Sequence, residues 1–305
     1  MALKQRNCMQ LITAATDQSF APDEDESWRV RNIWSAPSGS EDYLTLYNAD
    51  RCVAKIRTKG KTGNHLPFPH HYIASDAERI PGTLFDWLRA AGIEMEIPVP
   101  SGKDFTVSRE AEAGRVCFLY DKYDAGDVGG DEVNTPRGAI TRYIHYAQTT
   151  DPIEAACVEV NASLIWSGGD EWPFDGSSVP LNTVFRILAI LASPAAKGDT
   201  SNQGYTTHLQ LIRDSRVLFD PDRSGIPMLG DVAVTAAVVD YKGLGSVLGM
   251  MTKEYPLPGL VLPEPLEFGP GEKLDVNLIT AAAGSGGILA AEVDVALVLE
   301  KQVTG

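Results

Sequence analysis

An internal repeat constrains the fold of this chain more than any other feature of its sequence. The stretch WRVRNIWSAP at residues 28–37 recurs, with conservative changes, as FRILAILASP at residues 185–194. Without gaps, an aromatic residue, an arginine, branched apolar residues and a proline coincide. The 305 residues of the chain exceed what one core usually fills. We therefore expect two similar units.

Three further matches follow in the same order along the chain. They pair DRCVAKI (50–56) with DSRVLFD (214–220), SGKDFTV (101–107) with PGEKLDV (270–276), and VCFLYDK (116–122) with VALVLEK (295–301). The offsets between the copies rise from 157 through 164 and 169 to 179, which indicates longer loops in the second copy. The break falls near TTDPIEA (149–155), so the predicted domains are 1–150 and 151–305.

Most of the chain has the pattern of β-strands. DYLTLYN (42–48), EKLDVNLIT (272–280) and AEVDVALVLE (291–300) alternate apolar and polar residues, as in sheets with one buried face. Frequent Gly and Pro separate these runs. The predicted fold class is all-β, with two tandem eight-stranded antiparallel β-sandwiches and one short helix in each.

The two predicted helices lie at corresponding places, between the second and third matches. In PGTLFDWLRAAG (81–92), Thr83 can cap the N-terminus and Gly92 supplies the stop. Its apolar stripe consists of Leu84, Phe85, Trp87, Leu88 and Ala91. The counterpart, LGSVLGMMTKEY (244–255), is weaker because Gly249 interrupts it.

The chain is acidic, with a formal net charge of −15 at pH 7. A protein that coats nucleic acid needs a basic stripe to displace counterions, and none is present in the sequence. The longest acidic cluster, PDEDES (22–27), is typical of a solvated turn. The charge thus argues against sequence-specific nucleic-acid binding and for solubility at high concentration.

The sequence indicates synthesis in a reducing cytoplasm. No apolar run approaches the roughly 20 residues of a membrane-spanning helix, and the first residues lack the apolar core of a signal peptide. The four cysteines form no CxxC pair. We expect them to be small, buried apolar residues rather than zinc ligands or disulfides: Cys8, Cys52, Cys117 and Cys157.

Metal ligation has two candidate segments. In GNHLPFPHHYIASDAE (63–78), the adjacent His70 and His71 would point to opposite faces of a strand, and two prolines favour a loop. The loop YDKYDAGDVGGDEVN (120–134) carries candidate calcium ligands in Asp124, Asp127 and Asp131, without the spacing of an EF-hand. SGGDEWPFDG (167–176) is a similar acidic loop. A solvated loop or a subunit contact is the alternative for both acidic loops.

No catalytic motif stands out. The chain has no G-x-S-x-G elbow, no phosphate-binding glycine loop and no HExxH helix. We therefore predict no catalytic residues, no cofactor and no enzymatic activity. Paired carboxylates for glycoside hydrolysis stay open, because they can come from distant strands. The scattered Trp residues would suit either a sugar-binding platform or core packing: Trp28, Trp34, Trp166 and Trp172.

With its four matched stretches and two helices, the chain resembles the double jelly-roll major capsid proteins of tailless icosahedral viruses. The resemblance covers residues 9–301 and includes no invariant motif. Single jelly-roll capsid and spike-like proteins of membrane-containing prokaryotic viruses are similar in their short strands and acidic character.

The resemblance implies a structural virion protein made in the host cytoplasm. In that family three chains form a trimer with a pseudo-hexagonal outline, which tiles a shell, and both jelly rolls stand upright on its surface. The partners would be further copies and other virion proteins. Loops 59–79 and 195–204 would project or contact neighbours, and Lys4 and Arg6 would face an internal membrane.

Two other classes of protein stay open. A carbohydrate-binding or glycan-processing protein can also pair two β-sandwiches, and it would show a cleft with convergent acids and aromatic residues between them. A minor spike or decoration subunit would share the fold and differ only in assembly. For the N-terminal segment, simple fraying is the alternative to a membrane contact.

Overall fold

A computed structural model gives the architecture. It describes residues 3–14, 16–36, 42–59, 83–109, 115–126, 138–148, 160–167, 171–174, 176–192, 196–199, 202–219, 224–227, 260–284 and 294–304. The predicted second helix at 244–255 and the loop 63–78 lie outside these residues.

The first half contains eight strands and a helix among its described residues. They are β1 (Leu3–Ile12), β2 (Gln18–Phe20), β3 (Glu26–Ala36), β4 (Asp42–Asn48), β5 (Arg51–Lys59), α1 (Leu84–Ala90), β6 (Ile97–Val99), β7 (Phe105–Arg109) and β8 (Arg115–Asp124).

The described part of the second half consists of strands. They are β9 (Ile140–Gln148), β10 (Val160–Ser167), β11 (Thr183–Ala192), β12 (Ala196–Asp199), β13 (Asn202–Arg213), β14 (Arg216–Val217), β15 (Ile226–Pro227), β16 (Leu260–Phe268), β17 (Leu274–Gly284) and β18 (Asp294–Val303). The predicted all-β class is confirmed.

The strands of the first half form two groups of four. One is a sheet with the order β1-β8-β3-β6, and the other runs β2-β7-β4-β5. Every pairing within these groups is antiparallel. Apart from β4 and β5, which form a hairpin, neighbours in each group are distant in sequence, so the chain crosses repeatedly between the two groups.

The second half shows the same two orders. β9, β18, β11 and β16 pair in series, and β10, β17, β13 and β14 pair in series. The additional strands β12 and β15 also pair with β13. Each strand in one series therefore has a counterpart at the same place in the other half.

The pairing register repeats as well. β3 and β8 shift register between Val30 and Asn32, and β11 and β18 shift register between Ile187 and Ala189. These two irregularities fall at matching positions of the first sequence match. An extra residue inserted into one strand makes such a bulge. Both halves thus carry the same bulge at the same place.

Individual opposing residues also correspond. Trp28 lies opposite Lys122, and Phe185 lies opposite Lys301. The residues of β6 and β16 that lie opposite these two aromatic side chains also occupy matching positions in the two halves. We call two positions that occupy the same place in the two pairing patterns repeat equivalents.

One of the four sequence matches is displaced by a residue. The β4–β5 hairpin closes with Asn48 opposite Arg51, and the β13–β14 hairpin closes with Arg213 opposite Arg216. Arg51 is therefore the repeat equivalent of Arg216, whereas the sequence alignment set it against Ser215. The alignment superimposed two aspartates, but the position of the turn decides the register.

The turn before β7 repeats before β17. Gly102 and Gly271 both have left-handed backbone, with φ of 72° and 86°. In each turn, the residue after the glycine donates its N–H to a carbonyl three residues back, with an N–O distance of 3.2 Å. Glycine adopts this conformation without steric cost, which explains the shared glycine of the third sequence match.

Helix α1 forms as its sequence predicts. The Thr83 side chain accepts a hydrogen bond from the Asp86 N–H, and the Asp86 carboxylate accepts one from the Thr83 N–H, which together form a capping box. Gly92 follows with φ of 84°. Ala91, predicted to lie in the apolar stripe, is exposed. The buried face consists of Leu84, Phe85 and Leu88.

Buried apolar side chains of both halves belong to one continuous core cluster. The halves meet where β5 and β9 lie parallel, with Ala54 paired with Ile144. We call this contact the junction. Both residues are 0% exposed. The junction therefore places β5, the last strand of the series β2-β7-β4-β5, against β9, the first strand of the series β9-β18-β11-β16.

Candidate functional site: the junction and the exposed edges

A cluster of three charged side chains crosses the junction. Arg51 begins β5 in the first half, and its Nη1 lies 2.6 Å from Glu171 Oε1. Lys301 on β18 donates to both oxygens of the same carboxylate, at 3.2 and 3.1 Å. Glu171 is buried. The two cations offset the cost of burying its charge and tie the halves together.

A second arginine crosses the junction in the opposite direction. Arg142 on β9 donates to the backbone carbonyl of Glu94 in the first half, at 2.5 Å. Its other guanidinium nitrogens donate to Glu300 on β18, at 3.0 and 3.2 Å. Each half thus contributes one arginine that forms a hydrogen bond with a residue of the other half.

The junction also borders a cavity of about 550 Å³. Residues of both halves line it, among them Asn48, Tyr143 and Phe174 together with the charged cluster. Among its described lining residues, Glu171 is the one carboxylate. Glycoside hydrolysis ordinarily requires two carboxylates flanking the bond. The described lining therefore supplies no such pair.

Core packing, rather than a sugar-binding platform, describes two of the four tryptophans that the sequence left open. Trp172 is buried, with its ring 5.1 Å from that of Phe185 and 4.8 Å from that of Phe268. Trp28 is also buried, with its ring 4.6 Å from that of Tyr120. Trp34 and Trp166 are half-buried.

The candidate calcium ligands do not come together in the described residues. Asp124 ends β8, and its carboxylate lies 3.9 Å from the ammonium group of Lys4. Asp127 and Asp131 lie outside the described residues. Within the described ranges, no group of three or more His, Cys, Asp or Glu side chains is placed to hold a metal ion. The calcium site stays a prediction.

Three cysteines have free thiols, and Cys157 lies outside the described ranges. Cys52 is buried, as predicted, while Cys8 and Cys117 are half-buried. Burial raises the pKa of the Cys8 and Cys117 thiols above the ordinary value. Since the thiolate is the reactive form, both thiols are expected to react more slowly at neutral pH than exposed thiols do.

The N-terminal segment lies in a sheet. Residues 3–12 form β1 and pair with β8, which is not the frayed end that the sequence left open. The ammonium group of Lys4 lies 2.5 Å from Asp25. This hydrogen bond raises the pKa of Lys4 and lowers the pKa of Asp25. Both groups are therefore charged and paired at neutral pH.

Several large apolar side chains of the described residues are exposed. They are Leu3, Met9, Leu11, Ile140, Phe174, Leu181 and Phe219. Three of them lie on β1, whose one described strand partner is β8. An edge strand with apolar side chains and open backbone groups is a ready template for pairing with another chain.

The sequence did not reveal the charged cluster. Glu171 lies in the predicted acidic loop 167–176, but its partners Arg51 and Lys301 are more than 100 residues away on either side. One signal was available. Glu171 precedes an aromatic residue and a proline, an unusual context for a fully solvated acid.

No protein-family model matches this chain, and a comparison with curated proteins finds no relative. In the described ranges, no helix has the length and apolar character needed to cross a membrane.

Proposed function

We propose that the chain is a structural virion protein, the major capsid protein of a tailless icosahedral virus. In this proposal each half is a jelly roll, the first formed by β1–β8 and the second by β9–β18, so that the boundary lies before Ile140 and not at the predicted 150/151. Three chains form a trimeric capsomer with six similar lobes, and the capsomers tile the shell. The duplication is what the proposed function requires. Three chains related by threefold symmetry present six similar lobes, and six similar lobes pack in hexagonal arrays.

The observation that carries the proposal is the repeated strand order. The series β1-β8-β3-β6 and β2-β7-β4-β5 recur as β9-β18-β11-β16 and β10-β17-β13-β14. Two groups of four strands with alternating crossovers are what a jelly roll requires. Unrelated sandwiches joined in one chain would have no reason to share the bulges and registers of β3 and β11.

The junction supports the assembly part of the proposal. The halves meet edge to edge through Ala54 and Ile144 and are tied by Arg51 and Glu171. A lobe joined to its neighbour in this fixed way is a suitable unit for a rigid tile. The partners in this proposal are further copies of the chain and other virion proteins. An internal membrane near Lys4 and Arg6 would have to compete with the Lys4–Asp25 pair.

Light scattering on the purified chain, combined with negative-stain microscopy, tests the proposal. We expect a trimer with a hexagonal outline, or closed shells. A spike or decoration subunit would form a trimer that never tiles under conditions of high concentration and salt. A chain that stays monomeric at high concentration would contradict the proposal.

The cavity at the junction favours one alternative, a carbohydrate-binding protein. Its lining mixes aromatic and hydrogen-bonding side chains, including Tyr143, Phe174 and Asn182. A screen against immobilised glycans tests this alternative. Binding that is lost in a Tyr143→Ala variant, in a chain that remains monomeric, would favour it over the capsid proposal.

A further inference from the structure

The junction inside the chain has a repeat-equivalent surface that the chain leaves open. We infer that β14 and the two residues after it in one copy dock against β1 of a second copy, with Phe219 against Met9, in the way that β5 docks against β9 inside the chain. The inference rests on the proposed assembly and names the surface that forms it.

The register of β1 identifies the β1 side of this contact. Met9 lies opposite Leu119 on β8, and Ile144 lies opposite Val298 on β18. Leu119 and Val298 are repeat equivalents, so Met9 is the repeat equivalent of Ile144. Ile144 is 0% exposed in the junction, but Met9 is 61% exposed.

The β4–β5 and β13–β14 hairpins identify the β14 side of the contact. Counted without gaps from Arg51 and its repeat equivalent Arg216, Ala54 corresponds to Phe219, which lies two residues beyond the end of β14. Ala54 is 0% exposed against Ile144, whereas Phe219 is 47% exposed. The two residues that make the β5–β9 bridge thus correspond to two large apolar side chains that face solvent. Such exposed apolar groups mark interaction surfaces when they belong to complementary edges.

The charges of the two surfaces are complementary as well. In the junction, Lys301 Nζ lies 3.1 Å from Glu171 Oε2, and Arg51 pairs with the same carboxylate. In the first half, Lys122, the repeat equivalent of Lys301, holds Glu26 at 2.8 Å.

Arg216, the repeat equivalent of Arg51, is exposed on β14. An Arg216 side chain from a second copy can therefore complete the Glu26 cluster of the first copy, as Arg51 completes the Glu171 cluster. The acidic turn around Asp25 adds to the attraction.

The partner is a second copy of this chain because the contact is heterologous. Each copy offers one β1 edge and one β14 edge, and these are different surfaces. Contacts of this kind close into a ring when the rotation between copies permits. Inside the chain the same contact joins two lobes, so a ring of copies alternates internal and external junctions. With three copies the ring has six lobes, in agreement with the proposed capsomer.

Two single variants and their mixture test the inference by light scattering. Met9→Asp and Phe219→Asp are each expected to abolish the trimer. Both side chains are exposed in the single chain, so the thermal midpoints of the monomers are expected to stay close to each other. Leu181→Asp, at an exposed apolar residue outside the proposed contact, is the matched control and is expected to leave the trimer intact.

The mixture reports the geometry of the contact. A Met9→Asp chain keeps a native Phe219 surface, and a Phe219→Asp chain keeps a native Met9 edge. An equimolar mixture is therefore expected to form a dimer that neither variant forms alone. A symmetric contact between two β1 edges would give no such dimer.

The outcomes separate this inference from the proposed function. A wild-type trimer that survives both aspartate variants would overturn the inference and leave the capsomer proposal standing. A wild-type chain that never assembles would overturn both. Loss of the trimer in the Leu181→Asp control as well would also overturn the inference, because the loss would then not be specific to the named surface.

Discussion

At the scale of single residues, the most consequential side chain is Glu171. It is a buried carboxylate that holds together Arg51 of one half and Lys301 of the other. Burying a charge costs free energy unless it is paired, and removing one partner leaves the others uncompensated. The cluster therefore fixes how the halves sit, even where its net contribution to stability is small.

Replacing Glu171 with Gln is expected to lower the free energy of unfolding by about 2 kcal/mol. Arg51 and Lys301 would lose their shared counterion. The expected loss of stability is modest because Arg51 is partly exposed, so that water can compensate for the lost pair. Urea titration of both proteins measures the difference. Glu267→Gln is the matched control, since Glu267 is an exposed acid paired with Arg186, and it is expected to cost under about 0.5 kcal/mol. Equal effects from the two variants would contradict this account.

The thiols provide a second test at this scale. Single-cysteine variants that retain Cys8 or Cys117 are expected to react with a disulfide reagent more slowly in the folded than in the urea-unfolded chain at pH 7. Their raised pKa leaves less thiolate at that pH, and the rate is expected to rise as pH increases. Cys52, which is buried, is expected to be slower still. Equal rates in the folded and unfolded chains would refute the prediction.

The sequence predicted single residues well where the cause was local. The cap at Thr83 and the stop at Gly92 depend on neighbours within one or two turns, and both are observed. It failed at Glu171, because the partners of a buried charge are decided by the fold. It also set Arg51 against Ser215, because a shared aspartate is visible in sequence and a turn geometry is not.

At the scale of elements, α1 depends on its first residue. The Thr83 hydroxyl caps the helix and also donates to Asn32 on β3, at 2.6 Å. The helix is only seven residues long, so capping and packing decide whether it forms. Its cap thus attaches the helix to the sheet as well as starting it.

Thr83→Ala is expected to lower the free energy of unfolding by about 1 to 2 kcal/mol, since both hydrogen bonds are lost. Thr83→Ser keeps the hydroxyl and is expected to retain most of the stability. Chemical denaturation of the three proteins makes the comparison. If serine were as damaging as alanine, the methyl group and not the capping hydroxyl would be responsible.

The elements themselves were largely predictable, since alternation identified the long strands. The very short strands β14 and β15, of two residues each, carry too little pattern to be recognised. Pairing partners were beyond prediction for a related reason. Neighbours such as β3 and β8 lie far apart in sequence, and alternation shows which face is buried but not which strand lies alongside.

At the scale of the whole molecule, the repeat allows a comparison of two positions that correspond by residue count but lie in different environments. Ala54 lies in the junction and Phe219 faces solvent. A charge at the first position would have to be buried between the halves, while a charge at the second would be hydrated in a single chain. The same substitution is therefore expected to act on folding in one place and on association in the other.

Ala54→Asp is expected to cost about 3 kcal/mol or more in unfolding free energy, because an uncompensated charge enters a fully buried contact. Phe219→Asp is expected to change the unfolding of the monomer by less than about 0.5 kcal/mol. Calorimetry at low protein concentration compares them. A large destabilisation of the monomer by Phe219→Asp would show that Phe219 packs within its own chain.

The bulge shared by β3 and β11 limits how these strands can change. Trp28 and Val30 precede the surplus residue and Ile33 follows it, and all three side chains are buried. Spacings of two and then three keep them on one side only because Arg31 takes up the odd step. If the strand kept all its residues but lost the bulge, Ile33 would turn toward water. Loops differ in length between the two copies, but both copies keep the surplus residue in its bulge, because straightening the strand at this point would reverse the face of every residue after it.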